Sequence, residues 1–300
     1  MPARLSSLGW CAMPAAGGAP PDAALAAIVT LAPGGCHLMF TSNPFAELSA
    51  SIPPAVMQTY VVAMIVLVAG GTLFDVIHKS SARYFFNNWR RVKTKGTRQV
   101  GSFETASLGI QTVAVEVLTS AEFCNPQRRV AHLLTMYGFL AYVITTVIMV
   151  FSYATPAIPT PVILPVAWYI GALMVCGGGY WFWFCMRVDV AAEGHPQFRL
   201  VKADLFIVSL VASTTLGLIW AVLQAAGGTT CAPVFLVLYL FATTVLFGSI
   251  PWSKFSHMFY KPAAAFQKRV EQANGSRRNL PAPANAPATF GSVRRTPRNY

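Results

Sequence analysis

The chain has 300 residues, of which 55% are hydrophobic and only 11% are charged, and its mean hydropathy is +0.52. Because soluble globular domains carry about 25% charged residues, this composition excludes an ordinary soluble domain and indicates an integral membrane protein. The formal net charge of +12 would also suit a nucleic-acid-binding protein. Basic loops on the cytoplasmic side of a membrane protein account for it equally well, so we expect no nucleic-acid partner.

The first 55 residues are rich in Ala, Gly and Pro and carry one basic residue, Arg4. Their apolar stretch, 23–31, is too short to cross a bilayer. The segment also lacks the basic start that is typical of a signal peptide. We therefore treat 1–55 as an outward-facing segment that precedes the membrane domain.

Five apolar runs are long enough to cross a membrane. They are 56–77, 130–152, 166–186, 204–225 and 233–252. Each run predicts a helix, because backbone polar groups in hydrocarbon must be paired within their own segment. The sequence therefore predicts an all-α integral membrane protein, with a five-helix transmembrane bundle over 56–260.

The basic residues predict the orientation of this bundle. Every Lys and Arg except Arg4 falls between the first and second runs, between the third and fourth, or after the fifth. Loops that are rich in Lys and Arg stay in the cytoplasm. We therefore expect the N-terminus outside, the C-terminus in the cytoplasm, and a multi-pass protein of the bacterial inner membrane.

Two segments are predicted to lie in the cytoplasm outside the bundle. The loop 78–129 opens with a basic, aromatic stretch that is typical of an interfacial helix on anionic lipid. The rest of the loop is either a solvated connector or part of a docking surface for a cytoplasmic partner. The predicted docking residues are Arg90, Arg91, Lys93 and Lys95. The segment 261–300 is basic and rich in Pro and Ala, a composition that predicts disorder.

The sequence carries no recognisable catalytic motif. Nucleophile elbows, phosphate-binding loops, zinc-protease motifs and carboxylate pairs within the apolar runs are all missing. The six cysteines lack the clustered spacing of iron–sulfur or structural zinc sites. We therefore predict no independent catalytic site.

Two histidines point to a metal centre. His132 lies at the start of the second run and His257 just beyond the end of the fifth, so both are expected at the same depth on the cytoplasmic side. Histidines at membrane depth are costly and often functional, and two on different helices can ligate one haem iron. The alternative is that both are plain interfacial residues. His78, at the end of the first run, is a third candidate.

The stretch 239–257 (YLFATTVLFGSIPWSKFSH) resembles the last helix of the respiratory nitrate reductase gamma-subunit family of b-type cytochromes. The stretch from Arg129 to His132, with Gly138, resembles the other ligand helix of that family. SAEFCNPQRRVAHLLTMYGFL and IPWSKFSHMFYKP are similar to one branch, which contains Qmo-type subunits and the membrane anchor of adenylylsulfate reductase. The chain lacks the clustered cysteines of Qmo-type subunits, which favours the anchor.

This resemblance, over about residues 50–265, implies a haem-binding site. One b-type haem would be held between His132 and His257, with Arg129 and Lys254 near its propionates. Tyr142 and Tyr239 occupy the positions that ligate a second haem in two-haem relatives, so the resemblance implies a single haem.

The same resemblance implies an electron-transfer subunit that links membrane quinone to a cytoplasmic oxidoreductase. The implied partner is adenylylsulfate reductase, an enzyme of sulfur metabolism. Two alternatives stay open at this stage. One is a haemless anchor that only tethers a soluble enzyme, and the other is a small-solute transporter.

Overall fold

A computed structural model describes residues 40–78, 81–121, 123, 125–186, 200, 204–227, 230–251 and 257–276. Over these residues the chain forms helices and turns and no strand. Five of the helices are long and apolar enough to cross a membrane. The prediction of an all-α, multi-pass membrane protein is therefore confirmed.

The described helices follow one another along the chain. They are α1 (Pro44–Leu48), α2 (Pro54–His78), α3 (Ser81–Lys95), α4 (Ser102–Thr112, continued by a π-helix over Val113–Leu118), α5 (Pro126–Ser152), α6 (Ile163–Cys185), α7 (Leu205–Ala225), α8 (Cys231–Gly248) and α9 (His257–Asn274). The membrane helices are α2 and α5 to α8. Each contains most of one predicted run.

Asparagine caps fix where two of these helices begin. The Asn125 side chain accepts a hydrogen bond from the Gln127 N–H at 2.9 Å, and Pro126 occupies the first turn of α5. Asn43 accepts from the N–H groups of Phe45 and Ala46 in the same way at the start of α1. Asparagine suits this position because its side chain pairs N–H groups that lack a partner within the helix, and proline there loses no hydrogen bond.

Helices α5 and α6 pack most closely, because glycines let their backbones approach. A Cβ atom on Gly138 of α5 would lie 2.7 Å from the carbonyl oxygen of Gly171 in α6. A Cβ on Gly178 would lie 2.6 Å from the carbonyl oxygen of Ala131. Small residues at such contacts are the usual basis of helix packing in membranes.

Helix α2 packs more loosely than the other membrane helices. It contacts α5 and α8, and its buried residues are limited to Met57, Val61, Met64 and Asp75. Most of its other side chains are exposed on the protein surface. Loose packing leaves space between α2 and the rest of the bundle.

Helices α3, α4 with its π-helix, and α9 pack together outside the bundle, and we call them the extramembrane unit. Trp89 of α3 stacks on Phe266 of α9 with ring centroids 5.4 Å apart. The Asn274 side chain donates to the carbonyl oxygen of Val92 at 3.1 Å. The segment 261–274, which the sequence placed in a disordered tail, is therefore helical and packed. Residues 277–300 of that tail lie outside the described residues.

Candidate functional site

A cavity of about 610 Å³ lies between α2, α5, α7 and α8. Its wall is built mainly from aliphatic and phenylalanine side chains, and hydroxyl groups supply most of its polar atoms. The hydroxyl-bearing residues are Tyr60, Thr72, Tyr142, Thr146, Ser213, Thr214, Tyr239 and Thr243. No Lys, Arg, His, Asp or Glu is among the described residues that line it. The cavity therefore offers an uncharged, weakly polar environment.

Most of these hydroxyl groups already have partners within the protein. Tyr142 Oη donates to Tyr239 Oη at 3.1 Å, and the hydroxyls of Ser213 and Thr243 lie 2.7 Å apart. Tyr60 Oη donates to the carbonyl oxygen of Leu240 at 2.8 Å. These bonds connect α5 to α8, α7 to α8 and α2 to α8, so the hydroxyls hold the walls together.

Thr72 differs from the other hydroxyl-bearing residues of the wall. Its Oγ1 atom is buried and makes no hydrogen bond within the described part of the chain. A buried hydroxyl without a partner costs about 1–3 kcal/mol. Among the described hydroxyls of the wall, that of Thr72 is thus the one left without a partner.

Helix α1 covers one end of the cavity. The Phe45 ring lies between Trp168 and Trp220, with centroid distances of 5.9 Å and 5.4 Å. Trp168 stacks on Tyr142 and Trp220 stacks on Tyr239. These aromatic contacts close this end with side chains that are large and well packed.

Two polar contacts hold α1 in place. The Gln224 side chain donates to the carbonyl oxygen of Pro44 at 2.7 Å. The Asn43 side chain donates to the carbonyl oxygen of Tyr153 at 3.0 Å and to Thr160 Oγ1 at 3.1 Å. Helix α1 is thereby tied to the ends of α5 and α7 and to the segment before α6.

The α2 side of the cavity reaches the outer surface of the bundle. Ile65 and Leu73 line the cavity, yet they are 51% and 60% exposed. Such exposure shows that α2 does not pack tightly on the other helices along this wall.

The structure describes one of the two predicted haem ligands. His132 Nδ1 lies 3.0 Å from Ser120 Oγ, and its ring packs on Phe123 at 5.0 Å. It is not among the residues that line the cavity. His257 begins α9, but its side chain and all of Lys254 lie outside the described residues. The pairing of His132 with His257 around a haem therefore stays a prediction.

The other predicted site residues are partly described. Arg129 Nε donates to the carbonyl oxygen of Thr119 at 2.7 Å. Arg90, Arg91 and Lys93 are exposed on α3, whereas the Lys95 side chain lies outside the described residues. Within the described residues, no group of three or more His, Cys, Asp and Glu could hold a metal ion. Partner docking and propionate binding remain predictions.

Sequence reasoning missed the cavity itself. It named Tyr142 and Tyr239 only as the positions of an absent second haem, whereas the structure joins them in the cavity wall. Thr72 carries a weak signal, since it follows Gly70 and Gly71 and is one of the few polar residues in its run. Nothing in the sequence shows that its hydroxyl lacks a partner.

Fold and cavity together define a multi-pass α-helical membrane protein with an internal site of ligand size. Residues 20–278 match the family model of citrate utilization protein B, and the chain belongs to that family. No curated protein and no solved structure matches the chain.

This match corrects the sequence analysis. The resemblance to the nitrate reductase gamma-subunit family and its Qmo-type and adenylylsulfate reductase branch is wrong, because the chain belongs to a different family. The function drawn from that resemblance, haem-mediated electron transfer to adenylylsulfate reductase, is overturned with it. The motif that carried the resemblance was short: an aromatic-Ser-Lys run and a histidine that follow an apolar run.

Proposed function

We propose that this protein is the membrane component of a citrate-utilisation system, and that its cavity binds an uncharged, largely apolar molecule dissolved in the bilayer. The family match supports the first part. The proposed ligand class rests on the composition of the cavity wall. The wall combines apolar side chains with hydroxyls and has no charged group among its described residues. The volume of about 610 Å³ lies within the range of 300–1,000 Å³ that is usual for small-molecule sites.

Citrate itself is a poor ligand for this cavity. It carries three carboxylates that are negatively charged near neutral pH, and charges removed from water are strongly disfavoured unless they are paired. Transporters of charged solutes place compensating groups or helix ends at mid-membrane. The described lining of the cavity holds no Lys, Arg or His that could pair with a carboxylate. The proposed role in citrate utilisation is therefore distinct from conduction of citrate through this cavity.

An uncharged ring compound with carbonyl groups fits the cavity better. Its ring would contact the aliphatic and aromatic wall, and rotation of the Thr72 side chain would bring the hydroxyl to a carbonyl oxygen of the ligand. Entry along the loosely packed α2, past the exposed Ile65 and Leu73, would suit a ligand that arrives from the lipid phase. Burial of apolar ligand surface contributes about 25 cal/mol per Å², so contact area would supply most of the affinity.

The proposed orientation places the N-terminus outside and the C-terminus in the cytoplasm of a bacterial inner membrane. It rests on the positive-inside distribution, in which all Lys and Arg except Arg4 lie on one predicted side. The extramembrane unit then faces the cytoplasm. Accessibility of single cysteines at Gln272 and at Ile158 to a membrane-impermeant reagent, in intact cells, tests this orientation. Only the Ile158 position should react.

Equilibrium binding to the purified protein in lipid nanodiscs tests the proposed ligand class. Ubiquinone-1, an uncharged ring with two carbonyl groups, and citrate are the two probes. We expect saturable binding of ubiquinone-1, with a rise in melting temperature through preferential binding to the folded state, and no effect of citrate. Saturable citrate binding, or failure of ubiquinone-1 to bind, would show the assignment to be wrong.

A further inference from the structure

Helix α4 and its π-helix have two different faces. One face packs on α9: a Cβ atom on Gly109 would lie 3.7 Å from the Phe266 ring, and Glu116 accepts a hydrogen bond from Arg269 at 2.9 Å. Thr112 is buried on the same side. These contacts fix the orientation of α4 on the extramembrane unit.

The opposite face of α4 is apolar and exposed. Phe103 is 90% exposed and Ile110 is 72% exposed, and Val113 and Leu118 are about half exposed. Seven-residue spacing places Phe103 and Ile110 on the same side of a helix. We call these four residues the α4 apolar face. Exposed apolar patches of this kind mark contact with a membrane or a protein.

The position of the π-helix favours the membrane. Tyr137, which is 40% exposed on α5, donates to the carbonyl oxygen of Leu118 at 2.7 Å. Arg129 Nε reaches the neighbouring carbonyl oxygen of Thr119 at 2.7 Å. The end of the π-helix therefore lies beside the first turns of a membrane helix.

The α4 apolar face is continuous with the lipid-facing surface of α5. Val130, Leu140 and Ile144 are 45%, 44% and 54% exposed and lie on the same helix as Tyr137, within a helix apolar enough to cross a bilayer. Tyr137 joins the two regions, because its hydroxyl bonds to the backbone of Leu118, a member of the α4 apolar face.

The net charge of the extramembrane unit suits anionic lipid. Residues 81–121 and 257–276 contain nine Lys and Arg and three Glu. Arg83, Arg90, Arg91 and Lys93 of α3 are exposed. A net positive charge on a unit that exposes an apolar helix face favours binding to the headgroup region of anionic lipid.

We propose that α4 and its π-helix lie in the membrane interface, with the α4 apolar face inserted among the lipid chains. The bilayer thereby covers the surface of α4 that α9 leaves exposed. The extramembrane unit would then be held at the membrane in two ways, by the chain connections to α2, α5 and α8 and by this face. The proposal is independent of the ligand in the cavity.

Photo-crosslinking identifies what covers the face. Phe103 or Ile110 is replaced by p-benzoylphenylalanine in the full chain, in native membranes and in nanodiscs of phosphatidylethanolamine and phosphatidylglycerol. Irradiated protein is then analysed by intact-mass spectrometry. The same replacement at Ile144, on the lipid-facing surface of α5, gives the positive reference. Replacement at Gln272, which is exposed near the end of α9, gives the reference for a solvent position.

We expect phospholipid adducts at Phe103 and Ile110, with yields near that at Ile144. No phospholipid adduct should form at Gln272. Adducts to another protein, or to a second copy of the chain, in native membranes would overturn the proposal. So would the absence of lipid adducts at both α4 positions while Ile144 forms them.

Discussion

The phenol hydroxyl of Tyr142 donates a hydrogen bond to the hydroxyl of Tyr239 over 3.1 Å and joins α5 to α8 inside the membrane bundle. Both side chains are buried, and each stacks on a tryptophan, Trp168 or Trp220, that packs against Phe45. A Cβ atom on Gly217 would lie 2.8 Å from Tyr142 Oη and 3.2 Å from the Tyr239 ring. Gly217 thus lets α7 pack against the two tyrosines. The hydrogen bond between Tyr142 and Tyr239 therefore lies where α5, α7 and α8 meet, at one end of the cavity.

Replacing either tyrosine with phenylalanine should remove the same hydrogen bond. We expect Tyr142→Phe and Tyr239→Phe each to lower the free energy of unfolding by about 1 kcal/mol. The double variant should lose less than the two losses added together, because the second replacement removes no further bond. Reversible unfolding in mixed micelles measures the three values. Strict additivity would show that the two hydroxyls do not depend on each other.

Thr72→Val should separate stability from ligand binding. The replacement removes a buried hydroxyl that has no partner within the described residues, so the melting temperature should stay the same or rise. The affinity for ubiquinone-1 should fall by a factor of about 5, the loss of one hydrogen bond worth about 1 kcal/mol.

Thr243→Val is the matched control for this experiment. Thr243 bonds both to Ser213 Oγ and to the carbonyl oxygen of Tyr239, so its loss should lower the melting temperature. A fall in stability for Thr72→Val would mean that the Thr72 hydroxyl is already bonded.

Neighbouring glycines of α6 should respond differently to alanine. A Cβ on Gly178 would lie 2.6 Å from both the Ala131 carbonyl oxygen and Thr135 Oγ1, whereas a Cβ on Gly177 meets nothing within 4 Å. Gly178→Ala should therefore force α5 and α6 apart at a cost of about 1–3 kcal/mol. Gly177→Ala should be neutral or slightly stabilising, because alanine favours the helix. Thermal unfolding of the two variants side by side checks the difference, and equal effects would contradict the close packing at Gly178.

The ion pair between Glu116 and Arg269 should hold α4 on α9. Their side chains are 24% and 18% exposed, so the pair is less screened than the Arg98–Glu104 pair, whose side chains are 61% and 36% exposed. We expect a coupling energy of about 1 kcal/mol in a double-mutant cycle of Glu116→Gln and Arg269→Gln, at the upper end of exposed pairs. The cycle at Arg98 and Glu104 should give a smaller value. Hydrogen exchange of α4 and α9 supplies the opening free energies.

The fold could be predicted in outline because each membrane helix is an apolar run of sufficient length. The runs end where polar residues or prolines begin, and the helix bounds follow them within a few residues. Helix α9 could not be predicted in the same way. Its composition is polar and includes Pro262, and its packing depends on Val92 and Glu116, which lie more than 150 residues earlier in the chain.

The candidate site was harder to predict than the helices. A cavity arises from how α2 packs on α5, α7 and α8, and no local pattern in these apolar runs encodes that packing. The histidine pair led to a predicted haem site because charged or titratable groups at membrane depth are rare. The cavity wall has no such group among its described residues. Its apolar and hydroxyl-bearing residues are common in membrane helices, so the sequence does not mark them as a site.

The cavity between α2 and the other membrane helices is the proposed binding site for an uncharged apolar ligand. Ala69 lines this cavity, whereas Ala63 is exposed on the same helix and does not line it. Binding of ubiquinone-1 to Ala69→Phe and Ala63→Phe, measured in nanodiscs with both variants folded, tests the claim most directly. We predict that Ala69→Phe fills the cavity and abolishes binding, whereas Ala63→Phe binds as the wild type does. Equal binding by both variants would show that the ligand lies elsewhere.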